Sequence, residues 1–267
     1  MDHEYLLGFL WEEYQKNTPS AGRIHKLLAE KGEKVVNDHI ALRTVNLPPV
    51  SLDRIAEVLS DLGYAAKDDY DFPEKRLKAR HFEREDKKGP KIFVSELILQ
   101  NFSQQLQEQL TICFHQIPLG LLSTGAFIYS GRTWGTISYK TYLSLLKESE
   151  YAAWLYVYGF CVNHFTVDVG QLNTLDSLQK MNDFLKQNGF TLNQTGGEIK
   201  GSPAQLLEQS SIMADNKWIR FAEGTYEIPS CYYEFAKRYA DADGKLFDGF
   251  IAKSADKIFE STNTKIP

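Results

Sequence analysis

Cysteine is scarce in this sequence: Cys113, Cys161 and Cys231 are the only three in 267 residues, far apart and without a CxxC pair. An odd, scattered set cannot frame a disulfide-stapled domain and suits a reducing, cytoplasmic setting. Basic charge is not in excess either. Thirty Lys and Arg stand against 35 Asp and Glu, a net charge of −5, which lacks the footprint of a nucleic-acid binder. No run approaches the roughly 18 apolar residues of a membrane span. The opening MDHEYLLGFLWEEYQ has acids on both flanks and no basic leader, so a secretory signal is not expected.

What is present is an ordinary soluble composition, 43% hydrophobic and 24% charged, with ample length for a core. Leu6, Leu7, Leu10, Trp11 and Tyr14 recur near helical spacing and predict a first amphipathic helix. Thr18 and Pro19 suit the start of a second, and Gly32 its end. Ser51 caps SLDRIAEVLSDLGY, a helix closed by Gly63. KIFVSELIL reads as a strand with Ile92, Val94, Glu96 and Ile98 on one face.

The run VVNDHIALRTVN, residues 35–46, looks like a buried strand but places Asn37, His39, Ala41 and Arg43 on one face. A fully buried strand does not normally give a face to such groups, so that face is expected to line something wet, charged or metallic. A second stretch follows the same plan. NDHIALRTV aligns with VNHFTVDVG, which sets His164 on His39, and in both a capped amphipathic helix ends in glycine plus an aromatic. A strand with a central glutamate comes late in each, SELIL around Glu96 and YYEFAKR around Glu234. The chain reads as a diverged duplication whose halves close around a shared cavity.

Two histidines at matching places and an inward carboxylate form the facial set of non-haem iron sites, which leaves other coordination positions open. His3, His25, His81 and His115 have no matching partner and read as surface or packing residues. Glu234 is preferred to Glu223 and Glu227, which lie in a stretch with the Gly and Pro of a turn. Glu96 is open to three readings: a further ligand, a partner that orients a histidine, or a relic of the duplication.

DHIALRT, NHFTV and YYEFAKR, in this order, resemble the iron(II)-dependent 2-oxoadipate dioxygenase/decarboxylase family, over about residues 30–260. The closing stretch EFAKRYADADGKLFDGFIAKSADKIFES is also similar to the end of 4-hydroxyphenylpyruvate dioxygenase, where a helix follows over the site. The resemblance implies an α+β fold of two βαβββ-type, vicinal-oxygen-chelate-like modules forming a curved mixed sheet around the metal. Residues 1–34 would supply N-terminal helices, 35–99 the first module, 100–160 a mostly helical insertion and 161–267 the second module with a closing helix. The Ser and Thr of LLSTGAFIYSGRTWGTISYKT in the insertion are candidates for the pocket wall.

It further implies Fe(II) on His39, His164 and Glu234, with Zn, Ni or Mn as metals that can replace it on purification. The partners would be dioxygen and a 2-oxo acid, 2-oxoadipate becoming 2-hydroxyglutarate with loss of carbon dioxide. Two-point chelation by such an acid, with dioxygen beside it, leaves room for three protein ligands and puts Glu96 outside them. Arg43 takes the family's substrate-binding position. Its α-carbon is about 13 Å from that of His39 on an extended strand, too far to ligate the metal, while its planar fork suits a substrate carboxylate. An arginine paired with an acid of the fold, such as Asp168 or Glu96, is the plain alternative. Arg238 is a weaker candidate near the site or a solvated strand-end charge. A redox-silent metal-dependent hydrolase, lyase or isomerase of the same fold, and a non-enzymatic small-molecule-binding module, also remain open.

Overall fold

A computed structural model of the chain describes residues 3–263. Two helices, α1 (His3–Asn17) and α2 (Pro19–Glu30), precede β1 (Asn37–Val45), α3 (Leu52–Asp61), β2 (Tyr64–Phe72), β3 (Leu77–Arg84) and β4 (Lys91–Leu97). Four helices follow: α4 (Gln104–Phe114), α5 (Leu119–Thr124), α6 (Tyr139–Glu148) and α7 (Glu150–Tyr158). The plan then repeats as β5 (Val162–Asp168), α8 (Leu178–Gln187), β6 (Lys200–Ser202) and β7 (Leu207–Ser211). A hairpin of β8 (Asn216–Phe221) and β9 (Gly224–Pro229) interrupts it before β10 (Tyr232–Arg238), and α9 (Ala252–Ile258) with a tight turn at Phe259–Thr262 closes the described chain.

Eight strands form one curled, mixed sheet in the order β2-β3-β4-β1-β5-β10-β7-β6. Each half is a βαβββ unit whose first and last strands pair in parallel, β1 with β4 and β5 with β10. The halves join through the antiparallel pair β1 and β5, centred on Ile40 opposite Phe165. This is the duplicated α+β architecture expected from the sequence.

The two crossover helices form for the same local reasons. Ser51 and Ser177 accept the amide protons of Arg54 and Lys180, each satisfying a donor left free in the first turn. Gly63 and Gly189 turn the chain out with positive φ, where a side chain would be strained. Thr18 differs: it stands at the start of α2, but its side chain makes no capping bond.

Alternation along β1, β5 and β10 sorts the sheet into two faces. Ile40, Phe165 and Tyr233 point outward to the helices, where Trp11 lies 5.1 Å from the Phe165 ring and Tyr14 5.0 Å. Each large apolar side chain buried there contributes about 1.5–3 kcal/mol. His39, Ala41, Arg43, His164, Thr166 and Glu234 point to the opposite face, which α7, α9 and the Phe259–Thr262 turn cover.

Candidate metal centre

The strand register brings the histidines together. His39 stands opposite Thr166 and His164 opposite Ala41, so the two imidazoles are diagonal neighbours on one face. Their ring centroids are 5.5 Å apart. Beside them, parallel pairing sets Glu234 against Thr166. Its Oε2 lies 3.1 Å from Nε2 of His164 and its Oε1 3.7 Å from Nε2 of His39. All three ligand atoms lie within 4.8 Å of one another, and all three residues are buried.

Each ring is held by the residue before it. Nδ1 of His39 is 2.7 Å from Oδ1 of Asp38, and Nδ1 of His164 is 3.1 Å from Oδ1 of Asn163. This leaves both Nε2 atoms turned to the shared space, the arrangement that second-layer partners give to metal-binding histidines. Gln209 Nε2 donates to Glu234 Oε1 over 2.6 Å. The Thr166 hydroxyl is 3.1 Å from Nε2 of His39. Phe250 lies edge-on to His39 with centroids 4.8 Å apart, and Tyr232 stacks on His164 at 4.6 Å. The cavity they line holds only about 20 Å³, room on the order of one water.

The charges are consistent with a cation there. Burial opposes ionisation of Glu234, but His164, His39 and the bond from Gln209 outweigh it and hold the carboxyl below its usual range. Burial lowers the pKa of His164 despite Glu234 beside it, which favours the neutral, ligating imidazole. Two imidazole nitrogens and a carboxylate oxygen are a suitable donor set for a divalent transition metal with positions left over.

Arg238 is neither solvated nor loose. It is buried, and its Nε and Nη2 bond both oxygens of Asp38 at 2.6 and 2.9 Å. Burial works against the Asp38 charge, yet Arg238 and His39 drive its pKa far below the ordinary carboxylate range. Arg238 also donates to the carbonyls of Phe247 and Gly249, at the start of the closing segment. A rigid chain of bonds thus runs from that segment through Arg238 and Asp38 to His39. The DH and NH dipeptides were the available sequence signal for Asp38 and Asn163; nothing in the sequence pointed to Gln209.

Glu96 lies elsewhere. It pairs in register with Thr44, on the helix-covered face, and accepts the amide proton of Leu52 over 2.7 Å at the start of α3. The readings that put it at the centre, as a ligand or behind a histidine, are corrected: β4 turns it the other way. With His39 laid on His164, the residue matching Glu234 is Phe93, which lies alongside Ala41 and lines the metal cavity. Of the rivals, Glu223 instead accepts from Ser138, Tyr139 and Lys140 at the start of α6.

Arg43 shares the His39 face and is fully buried. Its guanidinium lies 4.8 Å from the Tyr151 ring, 4.9 Å from Trp154 and 6.0 Å from Phe259. Nη1 meets Glu150 Oε1 at 3.3 Å, Nη2 donates to Thr262 Oγ1 over 3.1 Å, and Nε has no partner. The acid beside it is therefore Glu150, not Asp168 or Glu96. The insertion contributes to this end of the site through α7; none of residues 121–141 lines the metal cavity.

A family profile described as 2-oxoadipate dioxygenase/decarboxylase matches residues 7–117 and 126–245. The 2-oxoadipate dioxygenase/decarboxylase of Oryza sativa subsp. japonica is 35% identical over 275 residues, covering 94% of this chain and 76% of the relative. A crystal structure of hydroxyglutarate synthase from Oryza sativa, in complex with 2-oxoadipate, is 33% identical with TM-score 0.87, covering 97% of this chain and 91% of that one. A Shewanella frigidimarina protein provisionally named a hydrolase is 47% identical with TM-score 0.89, covering 94% and 98%. With a profile match over most of its length and relatives of this identity, the chain belongs to the 2-oxoadipate dioxygenase/decarboxylase family.

Proposed function

We propose that this protein is an iron(II)-dependent dioxygenase that decarboxylates a 2-oxo acid, converting 2-oxoadipate and dioxygen to 2-hydroxyglutarate and carbon dioxide. The observation that carries the reading is the convergence of His39, His164 and Glu234 within 4.8 Å in a buried cavity, on the same sheet face as the buried guanidinium of Arg43. Family membership and the 2-oxoadipate held by the rice relative support the substrate class.

His39 Nε2, His164 Nε2 and a Glu234 oxygen would hold the metal. A bound iron(II) would supply dioxygen chemistry and two-point chelation of the 2-oxo acid. The chain's own residues do the rest. Asp38 and Asn163 fix the ring orientations, and Gln209 fixes the carboxylate rotamer. Phe93, Tyr232, Phe250, Ile258 and Phe259 wall the site with apolar surface, which keeps water out and strengthens charge interactions inside. Arg43 grips the distal carboxylate of the substrate and so fixes which carbon lies at the metal. The three free cysteines support a reducing, cytoplasmic setting, and no helix among the described residues is long and apolar enough to cross a membrane.

Anaerobic purification with metal analysis, followed by dioxygen uptake over a panel of 2-oxo acids, tests the reading. Iron content with uptake that depends on 2-oxoadipate is expected. Tight zinc with hydrolytic turnover and no oxygen uptake would replace it with the Lewis-acid alternative.

A further inference from the structure

The cavity at the metal, about 20 Å³, is too small for any six-carbon acid. A larger cavity of about 300 Å³ opens on the other side of Phe259, lined by Glu150, Tyr151 and Lys75 among others. Phe259 lines both spaces. Arg43 lies against Phe259 and Tyr151 at this boundary.

Glu150 is the group between Arg43 and the outer cavity. It is the first residue of α7, held by the Ser149 cap, whose hydroxyl accepts from Ala152. Its side chain is 23% exposed, against 1% for Arg43. One oxygen reaches Nη1 at 3.3 Å, a long contact by the standard of paired forks. Nε of Arg43 is buried without a partner. The guanidinium is thus half engaged: compensated well enough to stay buried, with donors to spare for another carboxylate.

We propose that Glu150 is the resident carboxylate of the Arg43 seat, displaced toward the outer cavity when the distal carboxylate of a dicarboxylic 2-oxo acid arrives. The inference rests on the substrate class proposed above. Two carboxylates on one guanidinium in a buried pocket repel, so both cannot keep the seat. In the empty enzyme Glu150 spares Arg43 the cost of an unpaired buried charge. It also makes the seat available only after an exchange, and a binding-competent state that is only partly populated weakens apparent affinity by that fraction. A monocarboxylic 2-oxo acid makes no claim on Arg43 and leaves the pair intact. Glu150 is on this account a specificity-determining residue that sets how strongly the second carboxylate is felt.

The test is calorimetric titration of the metal-loaded protein, without oxygen, with 2-oxoadipate and with 2-oxohexanoate, for wild type, Glu150→Gln and Glu150→Ala. With the competitor gone, both variants are expected to bind 2-oxoadipate about three- to tenfold more tightly, with 2-oxohexanoate unchanged. KM for oxygen uptake with the diacid should fall with it. A residue that merely oriented Arg43 would give the opposite sign, and unchanged or weaker diacid binding in both variants overturns the proposal. Wild type that holds metal yet binds neither acid would instead overturn the substrate reading on which the proposal rests.

Discussion

With His39 laid on His164, the first half of the sheet carries Phe93 where the second carries Glu234, and Arg43 where the second carries Asp168. The backbone plan is shared, down to a serine cap on each crossover helix and a polar residue holding each imidazole. Duplication alone would give a symmetric site. Of the two related positions one carries a carboxylate and the other an apolar ring, which cannot ligate, and a guanidinium stands at one end only. The difference leaves three candidate ligands, one side without a carboxylate and an arginine at one end.

The sharpest way to break the comparison is to remove the asymmetric carboxylate. Glu234→Ala should lose most bound metal and depress turnover on the order of 10³-fold or more, because two imidazoles remain and the Gln209 amide loses its acceptor. Metal analysis and oxygen uptake read both. Adding Phe93→Glu to that variant moves the carboxylate to the related position, and part of the metal should return without turnover, since the related positions of Gln209 and Arg43 in the other half are Ala79 and Asp168, which carry neither an amide nor a guanidinium. Full metal in Glu234→Ala alone would refute the ligand assignment.

Arg43 has Asp168 as its formal counterpart, so the polarity of the site can be tested at that position. Arg43→Ala should cost about 2–5 kcal/mol in kcat/KM for 2-oxoadipate, with metal retained and the preference over a monocarboxylic 2-oxo acid lost. Arg43→Lys should rescue in part, as a point charge replaces a fork. An unchanged preference would confine Arg43 to the fold or to the carboxylate nearest the metal.

A smaller effect is expected where the halves differ only in the group behind the imidazole. Asp38→Asn makes the first half resemble the Asn163 and His164 pair, but strips Arg238 of the charge it bonds twice. Metal affinity or activity should fall about 10- to 100-fold. Asn163→Asp, its mirror, lacks an arginine behind it and should not improve binding. Titrating apo protein with metal distinguishes them.

The duplicated frame and the convergence of His39, His164 and Glu234 were legible because both rest on short-range signals: alternation, capped helices ending in glycine, and a histidine repeated in the same local context. What was not legible depends on register between strands distant in sequence. Spacing alone paired Glu96 with Glu234, since both sit mid-strand late in their halves, yet a shift of three residues sends Glu96 to the other face. Arg238 read as a strand-end charge because its partner, Asp38, is 200 residues away. Glu150 lies in a helical insertion with no counterpart in the other half, so the repeat could not point to it.

Glu96 and Glu234, the two carboxylates that looked equivalent in sequence, give the mildest and most discriminating test. Glu96 accepts from Leu52 N at the start of α3, and burial raises its pKa above the usual glutamate value, the Leu52 bond opposing this only in part. A carboxyl whose folded pKa is raised binds its proton more tightly in the folded state, so the stability it contributes is fully present at acid pH and declines as pH rises through that raised value. Glu96→Gln keeps an acceptor for Leu52 and removes the buried charge. Its metal content and oxygen uptake should match wild type, and its stability should differ by about 1 kcal/mol or less. The direction should depend on pH: the variant gains on wild type as pH rises from the ordinary glutamate range toward neutrality, and the two converge in acid. Urea unfolding at a series of pH values reads this directly. Metal loss in Glu96→Gln would return Glu96 to the centre and restore the symmetry that the register denies.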